Sequence, residues 1–124
     1  MLIDVLITAV VIVITTIIHA TAMYIALRAM ESRKRPNPGP LHFNHTYWVA
    51  GVIIVMFIAS VLEVMVWAGT YRLLAVEGLV SIEDAVYFSM VTYTTLGYGD
   101  IVLTGHWRVL STFEAANGIV MFGW

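Results

Sequence analysis

The stretch from Thr94 to Asp100 contains two glycines that could shape a row of cation ligands from the backbone. In an extended strand successive carbonyls point to opposite sides, so a one-sided row of oxygens needs residues that alternate between right- and left-handed backbone conformations. Gly97 and Gly99 enter the left-handed region without a steric penalty. The predicted ligands are the carbonyls of Thr95, Leu96, Gly97 and Tyr98, with the Thr95 hydroxyl at one end.

Such a row would replace the hydration shell of a cation with protein oxygens. One chain supplies too few oxygens for a complete shell, so several copies would have to meet around a common axis. In this arrangement we expect the side chains of Leu96 and Tyr98 to turn back into the protein. The stretch therefore predicts an ion selectivity filter shared between chains.

The composition places this stretch in a membrane. The chain has 124 residues, 60% hydrophobic and 11% charged, with a mean hydropathy of +0.90, far more apolar than a soluble domain of this size. A net charge of −2 provides no general basic surface for nucleic acid. The absence of cysteine excludes disulfides, thiolate catalysis and sulfur-ligated metals.

Two long apolar spans precede the glycine-containing stretch. Residues 5 to 27 carry no charge and can cross a hydrocarbon core of ~30 Å, so we predict a first transmembrane helix within residues 1–30. A secretory signal would favour a basic start, whereas this N-terminus carries Asp4, although Ala20-Thr21-Ala22 keeps that alternative open. A second span is predicted at residues 48–69, after a polar, proline-containing loop at residues 31–47.

A shorter helix is predicted directly before the glycines, at residues 82–94. Ser81 followed by Asp84 resembles a capping box, which marks a helix start. At ~20 Å this helix is too short to cross a bilayer, so we expect it to be re-entrant, with its negative dipole end next to the cation row. We expect its apolar face to consist of Val86, Met90 and Tyr93. A last apolar stretch, residues 107–124, follows.

The run Thr95, Gly97, Tyr98, Gly99, Asp100 resembles the Thr-x-Gly-Tyr-Gly-Asp motif of tetrameric potassium channels. Leu96 stands where Val or Ile is usual. The resemblance covers residues 48–124 and is to the small prokaryotic type of pore domain, with an additional N-terminal helix. It implies an all-α membrane protein with three transmembrane helices, a re-entrant pore helix and a filter loop. The corresponding segments would be the outer helix 48–69, pore helix 82–94, filter 95–100 and inner helix 107–124.

The resemblance also implies function and partners. The chain would form a homotetramer among membrane lipids and conduct potassium passively, with potassium ions held at Thr95, Leu96, Gly97 and Tyr98 and no other cofactor. The filter would be supported by four residues of the pore helix, namely Tyr87, Phe88, Val91 and Thr94.

Three of these support positions depart from the family's pattern. Tyr87 and Phe88 stand where two Trp are common, and Val91 stands where some bacterial members carry Glu. We therefore expect Tyr87 to hold Asp100 by a hydrogen bond, and filter inactivation to differ from that of the Glu-bearing relatives.

The distribution of basic residues predicts the orientation. Arg28, Arg33, Lys34 and Arg35 follow the first span, whereas only Arg72 and Arg108 lie near the filter. By the positive-inside rule, residues 31–47 are cytoplasmic and the N-terminus is outside, in a multi-pass protein of the cell membrane. The outer mouth would then carry a cluster of acids, Glu77, Glu83, Asp84 and Asp100, which either concentrate cations or simply solvate the loop.

Several small and polar residues inside the spans are further candidates. Gly118 is a candidate gating hinge, with tight helix packing through small residues, shared with Ala115, Ala116 and Gly123, as the alternative. Asn117 could face a water-filled cavity below the filter. We expect Glu63 and Glu114 to pair inside the protein or to lie near outer water. His19 is expected to be buried against the second span, not to bind metal.

Three functions remain open from the sequence. The preferred one is a potassium-selective channel, and the alternatives are a weakly selective cation channel and a non-conducting accessory subunit. No nucleophile, general base and orienting group fall together, so an enzyme is not expected. The last span ends at Phe122-Gly123-Trp124 without a following basic residue, and we expect a truncated or minimal pore.

Overall fold

The computed structural model describes residues 2–31 and 44–123, and the described residues form four α-helices. The helices are α1 (Leu2–Glu31), α2 (Asn44–Leu73), α3 (Ile82–Tyr93) and α4 (Trp107–Gly123). The expected all-α fold is confirmed for these residues.

Helices α1 and α2 are long and apolar enough to cross a membrane by length and composition. Each has 30 residues, or ~45 Å at the usual helical rise. Both extend beyond the predicted spans because the polar residues at their ends, such as Asp4 and Arg28, continue the helix without needing to enter hydrocarbon.

The loop predicted at residues 31–47 is shorter than expected at both ends. Glu31 is still in α1, and α2 already begins at Asn44. The prolines that motivated the loop lie in residues 32–43, outside the described residues. Asn44–Tyr47 are helical and not part of the loop, because the last proline is Pro40 and a proline restricts only its own backbone and that of the residue before it.

Helix α1 packs against both α2 and α4, and α3 lies against α2 and α4. Helices α1 and α4 run in the same direction, because early residues Thr8 and Leu110 line one cavity and the later pair Thr15 and Asn117 share a hydrogen bond. The most deeply buried large side chains come from α2, α3, α4 and the turn after α2, and include Trp67, Tyr71, Leu79, Tyr93 and Leu110.

The start of α3 is fixed by local hydrogen bonds, as the sequence predicts. The Ser81 hydroxyl accepts from the Asp84 backbone N–H at 2.9 Å, and the Ser81 N–H donates to Asp84 Oδ2 at 3.1 Å. The Ser81 backbone is extended, with φ of −98°. The capping box is therefore confirmed, and two backbone donors at the helix start are satisfied.

The buried face of α3 differs from the predicted one. Tyr93 is fully buried, but Met90 is 37% exposed and Val86 only partly buried. The inward positions include the polar Ser89, whose hydroxyl oxygen lies 3.1 Å from the Val64 carbonyl oxygen. A hydrophobic pattern could not identify this face, because a satisfied hydroxyl occupies one of its central positions.

Candidate functional site

The backbone of the Thr94–Asp100 loop alternates in handedness. Thr95, Gly97 and Gly99 have positive φ angles of 60°, 57° and 79°, whereas the intervening Leu96 and Tyr98 do not. The alternation predicted from the two glycines is thus present, and it begins one step earlier than expected. Thr95 is the exception, because a β-branched residue rarely adopts positive φ and sequence reasoning had no signal for it.

The inner half of the loop is tied to the C-terminal end of α3. The Leu96 and Gly97 N–H groups both donate to the Val91 carbonyl, at 3.0 and 3.3 Å, and the Thr95 N–H donates to the Thr92 carbonyl at 3.0 Å. These bonds satisfy carbonyls that a helix end leaves without partners. They also fix the loop at the end of α3, where the helix dipole is negative and favours a cation.

The two large apolar and aromatic side chains of the loop are exposed in a single chain. Leu96 is 56% and Tyr98 67% exposed, so the expectation that they turn back into the protein is wrong for a single chain. Within one copy the described residues leave both side chains largely uncovered. Two large side chains therefore remain available for contact with another surface.

The outer end of the loop is held by Tyr87. Its hydroxyl donates to Asp100 Oδ2 at 2.6 Å, which confirms the predicted hydrogen bond. This bond stabilises the carboxylate and lowers the pKa of Asp100 below its ordinary value. Behind the loop lies a cavity of about 260 Å³, and its lining includes Tyr87, Val91, Asp100 and Arg108.

The other two predicted support residues act mainly on α3. The Phe88 ring packs edge-on against Tyr71 of α2, with ring centroids 5.4 Å apart, and it also reaches the cavity behind the loop. The Thr94 hydroxyl donates back to the Met90 carbonyl at 2.7 Å. Both contacts stabilise the helix that carries the loop.

Glu63 connects three helices inside the protein. Its Oε1 lies 3.0 Å from His19 Nδ1 of α1, and its Oε2 accepts a hydrogen bond from the Tyr93 hydroxyl at the end of α3. The predicted burial of His19 against α2 is confirmed. Among the described residues no cluster of acids, histidines or cysteines could hold a metal.

Glu114 forms a second buried centre. The Tyr71 hydroxyl donates to its Oε2 at 2.5 Å, and the Ser89 hydroxyl donates to its Oε1. The prediction that both glutamates pair within the protein is confirmed. The partners Tyr71, Ser89 and Tyr93 were missed, and the available signal was the rule that a carboxylate in a membrane helix needs donors from facing elements.

Asn117 and Gly118 lie in helix contacts. The Asn117 amide donates to Thr15 Oγ1 of α1 at 2.9 Å, and its side chain is only 5% exposed. It therefore faces α1, which differs from the expected position at a water-filled cavity, because the hydroxyl of Thr15 offers it a buried partner. A Cβ on Gly118 would come within 2.8 Å of the Tyr93 carbonyl carbon and closer to its oxygen, so this position fits the alternative of tight packing.

The acids of the expected outer mouth divide into two groups. Asp84 is engaged in the capping box and Asp100 by Tyr87, and hydrogen bonds lower the pKa of both carboxyl groups. Glu77 and Glu83 are exposed. The two engaged carboxylates stay ionised to lower pH than ordinary aspartates, so they keep negative charge near the loop.

Comparison with known proteins identifies the family. The comparisons with curated proteins and with solved structures gave no match. Residues 59–124, just over half of the chain, match the profile of a family described as ion channel. The matched region contains α3, the Thr94–Asp100 loop and α4. Together with the membrane-length helices α1 and α2, this match shows that the chain is an α-helical membrane protein of the ion channel family.

Proposed function

We propose that the chain forms a homotetramer that conducts potassium selectively and passively through residues 95–100, the filter. The observation that carries this proposal is the alternation of positive φ at Thr95, Gly97 and Gly99, directly after the C-terminal end of α3. This is the backbone pattern that a row of carbonyl ligands requires, in a chain of the ion channel family. Potassium ions would bind at Thr95, Leu96, Gly97 and Tyr98.

Assembly of four copies is supported by the incomplete ion coordination and the exposed side chains of a single copy. A single filter loop contributes one short row of carbonyls, and four rows around an axis would complete the coordination of a dehydrated ion. The exposed side chains of Leu96 and Tyr98 would be covered in the same step by neighbouring copies. In this assembly α3 is the re-entrant pore helix.

Helix α4 is proposed as the inner helix and third transmembrane segment. Its 17 described residues span ~26 Å, close to the ~30 Å of a hydrocarbon core. It runs parallel to α1 and would start at the same side of the membrane. With residues 31–47 cytoplasmic, the N-terminus and Asp100 would both lie outside, in the cell membrane.

A weakly selective cation channel is the second candidate. The altered support of the filter favours it, because the Phe88 ring packs against Tyr71 and has no donor to offer to the Tyr98 hydroxyl, so the filter is held less rigidly. The Tyr87–Asp100 hydrogen bond at its outer end opposes widening. Selectivity therefore depends on whether this hydrogen bond is enough to keep the filter rigid.

The test is the reversal potential of the purified protein in a planar bilayer with potassium on one side and sodium on the other. We expect a value near the potassium equilibrium potential. A robust current that reverses near zero would support the weakly selective channel. A pure preparation without current would contradict both and favour the accessory subunit.

A matched pair of variants links the current to the filter. Gly99 has φ of 79°, so Gly99→Ala places a Cβ in a strained conformation and should abolish selective current. Gly51 of α2 has no positive φ, and a Cβ added there would meet no neighbouring atom within 4 Å, so Gly51→Ala should conduct normally. Equal currents in both variants would exclude the loop as the ion pathway.

A further inference from the structure

We propose that α1 positions the filter through a triad of hydrogen-bonded side chains, His19, Glu63 and Tyr93. This inference rests on the proposed function, since it assigns the additional N-terminal helix a role in the same filter. His19 and Glu63 would act as positioning residues, because neither touches the ion.

The triad connects three helices through two successive hydrogen bonds. His19 of α1 lies 3.0 Å from one carboxylate oxygen of Glu63 in α2, and the other oxygen accepts from the Tyr93 hydroxyl in α3. Glu63 and Tyr93 are fully buried and His19 is 4% exposed. The two oxygens of Glu63 therefore have one partner each, from different helices.

Tyr93 is the member of the triad that lies next to the filter. It is the last residue of α3 and precedes Thr95 by two positions. Its carbonyl contacts Gly118 of α4 and its ring packs against Phe122 at 5.8 Å between centroids. A change in the position of Tyr93 would thus be passed to Thr95, whose N–H is bonded to the preceding Thr92 carbonyl.

His19 is needed because a carboxylate in the membrane interior is costly unless its oxygens are paired. Glu63 has a single facing group at each oxygen, the His19 ring at Oε1 and the Tyr93 hydroxyl at Oε2. Without His19, Glu63 would have to rotate or admit water to satisfy Oε1, and each change alters its bond to Tyr93. The hydroxyls of Tyr71 and Ser89 are already bonded to Glu114, so they do not replace the lost partner of Glu63.

The test compares two substitutions in α1 that each remove a buried hydrogen bond. His19→Leu removes the ring nitrogen that is hydrogen-bonded to Glu63, whereas Thr15→Val removes the acceptor of Asn117 without touching the triad. His19→Asn keeps a side-chain N–H near the position of Nδ1 and serves as the conservative rescue. All three are made in the full chain.

Two measurements are made on each variant. The potassium-to-sodium permeability ratio should fall in His19→Leu, by up to about fivefold if the ~1 kcal/mol of one buried hydrogen bond is lost wholly from the filter, and stay near wild type in His19→Asn and Thr15→Val. Amide hydrogen exchange of Leu96 and Gly97, which bond the Val91 carbonyl, should be faster only in His19→Leu. Amide hydrogen exchange is measured without recording a current, so it tests the triad even if the wild-type protein does not select potassium.

The outcomes separate the inference from the proposed function. Faster exchange in His19→Leu with an unselective wild type would support the triad and contradict the proposed potassium selectivity. Unchanged exchange in His19→Leu would overturn the triad, whatever the current shows. Equal effects of His19→Leu and Thr15→Val would also overturn it, because general α1 packing would then explain both.

Discussion

Gly118 lies where α4 crosses the end of α3, and the backbone of Tyr93 leaves no space for a side chain there. We predict that Gly118→Ala destabilises the protein by about 1–3 kcal/mol, because the new methyl group must push α4 away from a rigid carbonyl. Thermal unfolding in detergent measures the effect. The same displacement would disturb Tyr93 and hence the filter.

The control for this prediction is Gly51→Ala in α2, where a Cβ has no neighbour within 4 Å. Alanine favours a helix over glycine by about 1 kcal/mol, so this variant should be at least as stable as the wild type. If Gly118→Ala were equally stable, the close approach to Tyr93 would not be required, and a hinge would again be the better explanation of Gly118.

Tyr87 controls the titration of Asp100. Because the hydrogen bond lowers the pKa of Asp100 in the folded protein, it stabilises the fold at pH above the ordinary aspartate value of about 4, and this stabilisation is lost as pH falls through the lowered pKa. We predict that Tyr87→Phe raises the pH at which outside acid reduces the current. A titration of current against outside pH measures the shift.

The control for the titration is Asp84→Asn, which removes another carboxyl group of lowered pKa without touching Asp100. It should leave the midpoint of the acid effect where the wild type has it. A shift of equal size in Asp84→Asn would show that the general charge of the outer surface, and not the Tyr87 hydrogen bond, sets the response.

At the scale of elements, α3 depends on its N-terminal cap. Ser81→Ala removes the hydroxyl that accepts from Asp84 N–H, and we predict a loss of about 1 kcal/mol in thermal unfolding. Glu83→Gln changes a neighbouring exposed acid in the same turn and should have little effect. Equal stabilities of the two variants would mean that tertiary contacts alone hold the start of α3.

The same pH argument applies to this cap. The hydrogen bonds from Ser81 lower the pKa of Asp84, so the cap contributes most above the ordinary aspartate pKa and fades as pH falls through the lowered value. The difference in stability between wild type and Ser81→Ala should therefore shrink in acid.

How far each element could be predicted depends on how local its determinants are. The capping box, the two long spans and the handedness of the loop at Gly97 and Gly99 follow from residues next to each other, and they agree with the structure. The inward face of α3 does not follow from neighbouring residues, because Ser89 is buried against a carbonyl and a carboxylate from two other helices.

The contacts of α1 show the same limit. Its apolar sequence predicts a membrane span but does not specify which helix each polar residue meets. His19 pairs with Glu63, 44 positions away, and Thr15 with Asn117, 102 positions away. Pairing over such separations depends on how the helices pack, so the sequence indicated that partners were needed without identifying them.

At the scale of the whole molecule, the exposed apolar surface has two origins. Residues such as Val10, Ile17, Ile53 and Phe57 lie on α1 and α2, where a membrane protein meets lipid. Leu96 and Tyr98 are exposed on a loop between α3 and α4, where lipid contact would leave backbone polar groups in hydrocarbon. The proposed assembly would cover Leu96 and Tyr98, whereas the apolar residues of α1 and α2 would stay in contact with lipid.

The number of copies in that assembly can be counted from current. We predict that wild-type protein mixed with an equal amount of non-conducting Gly99→Ala protein, assembled together from the unfolded or newly synthesised state, gives about one sixteenth of the wild-type current. The factor follows if one defective copy blocks a symmetric tetramer and copies mix at random. A residual current near one quarter would instead indicate two copies. A current that falls only in proportion to the wild-type fraction would mean that each chain conducts alone, and the shared filter would be wrong.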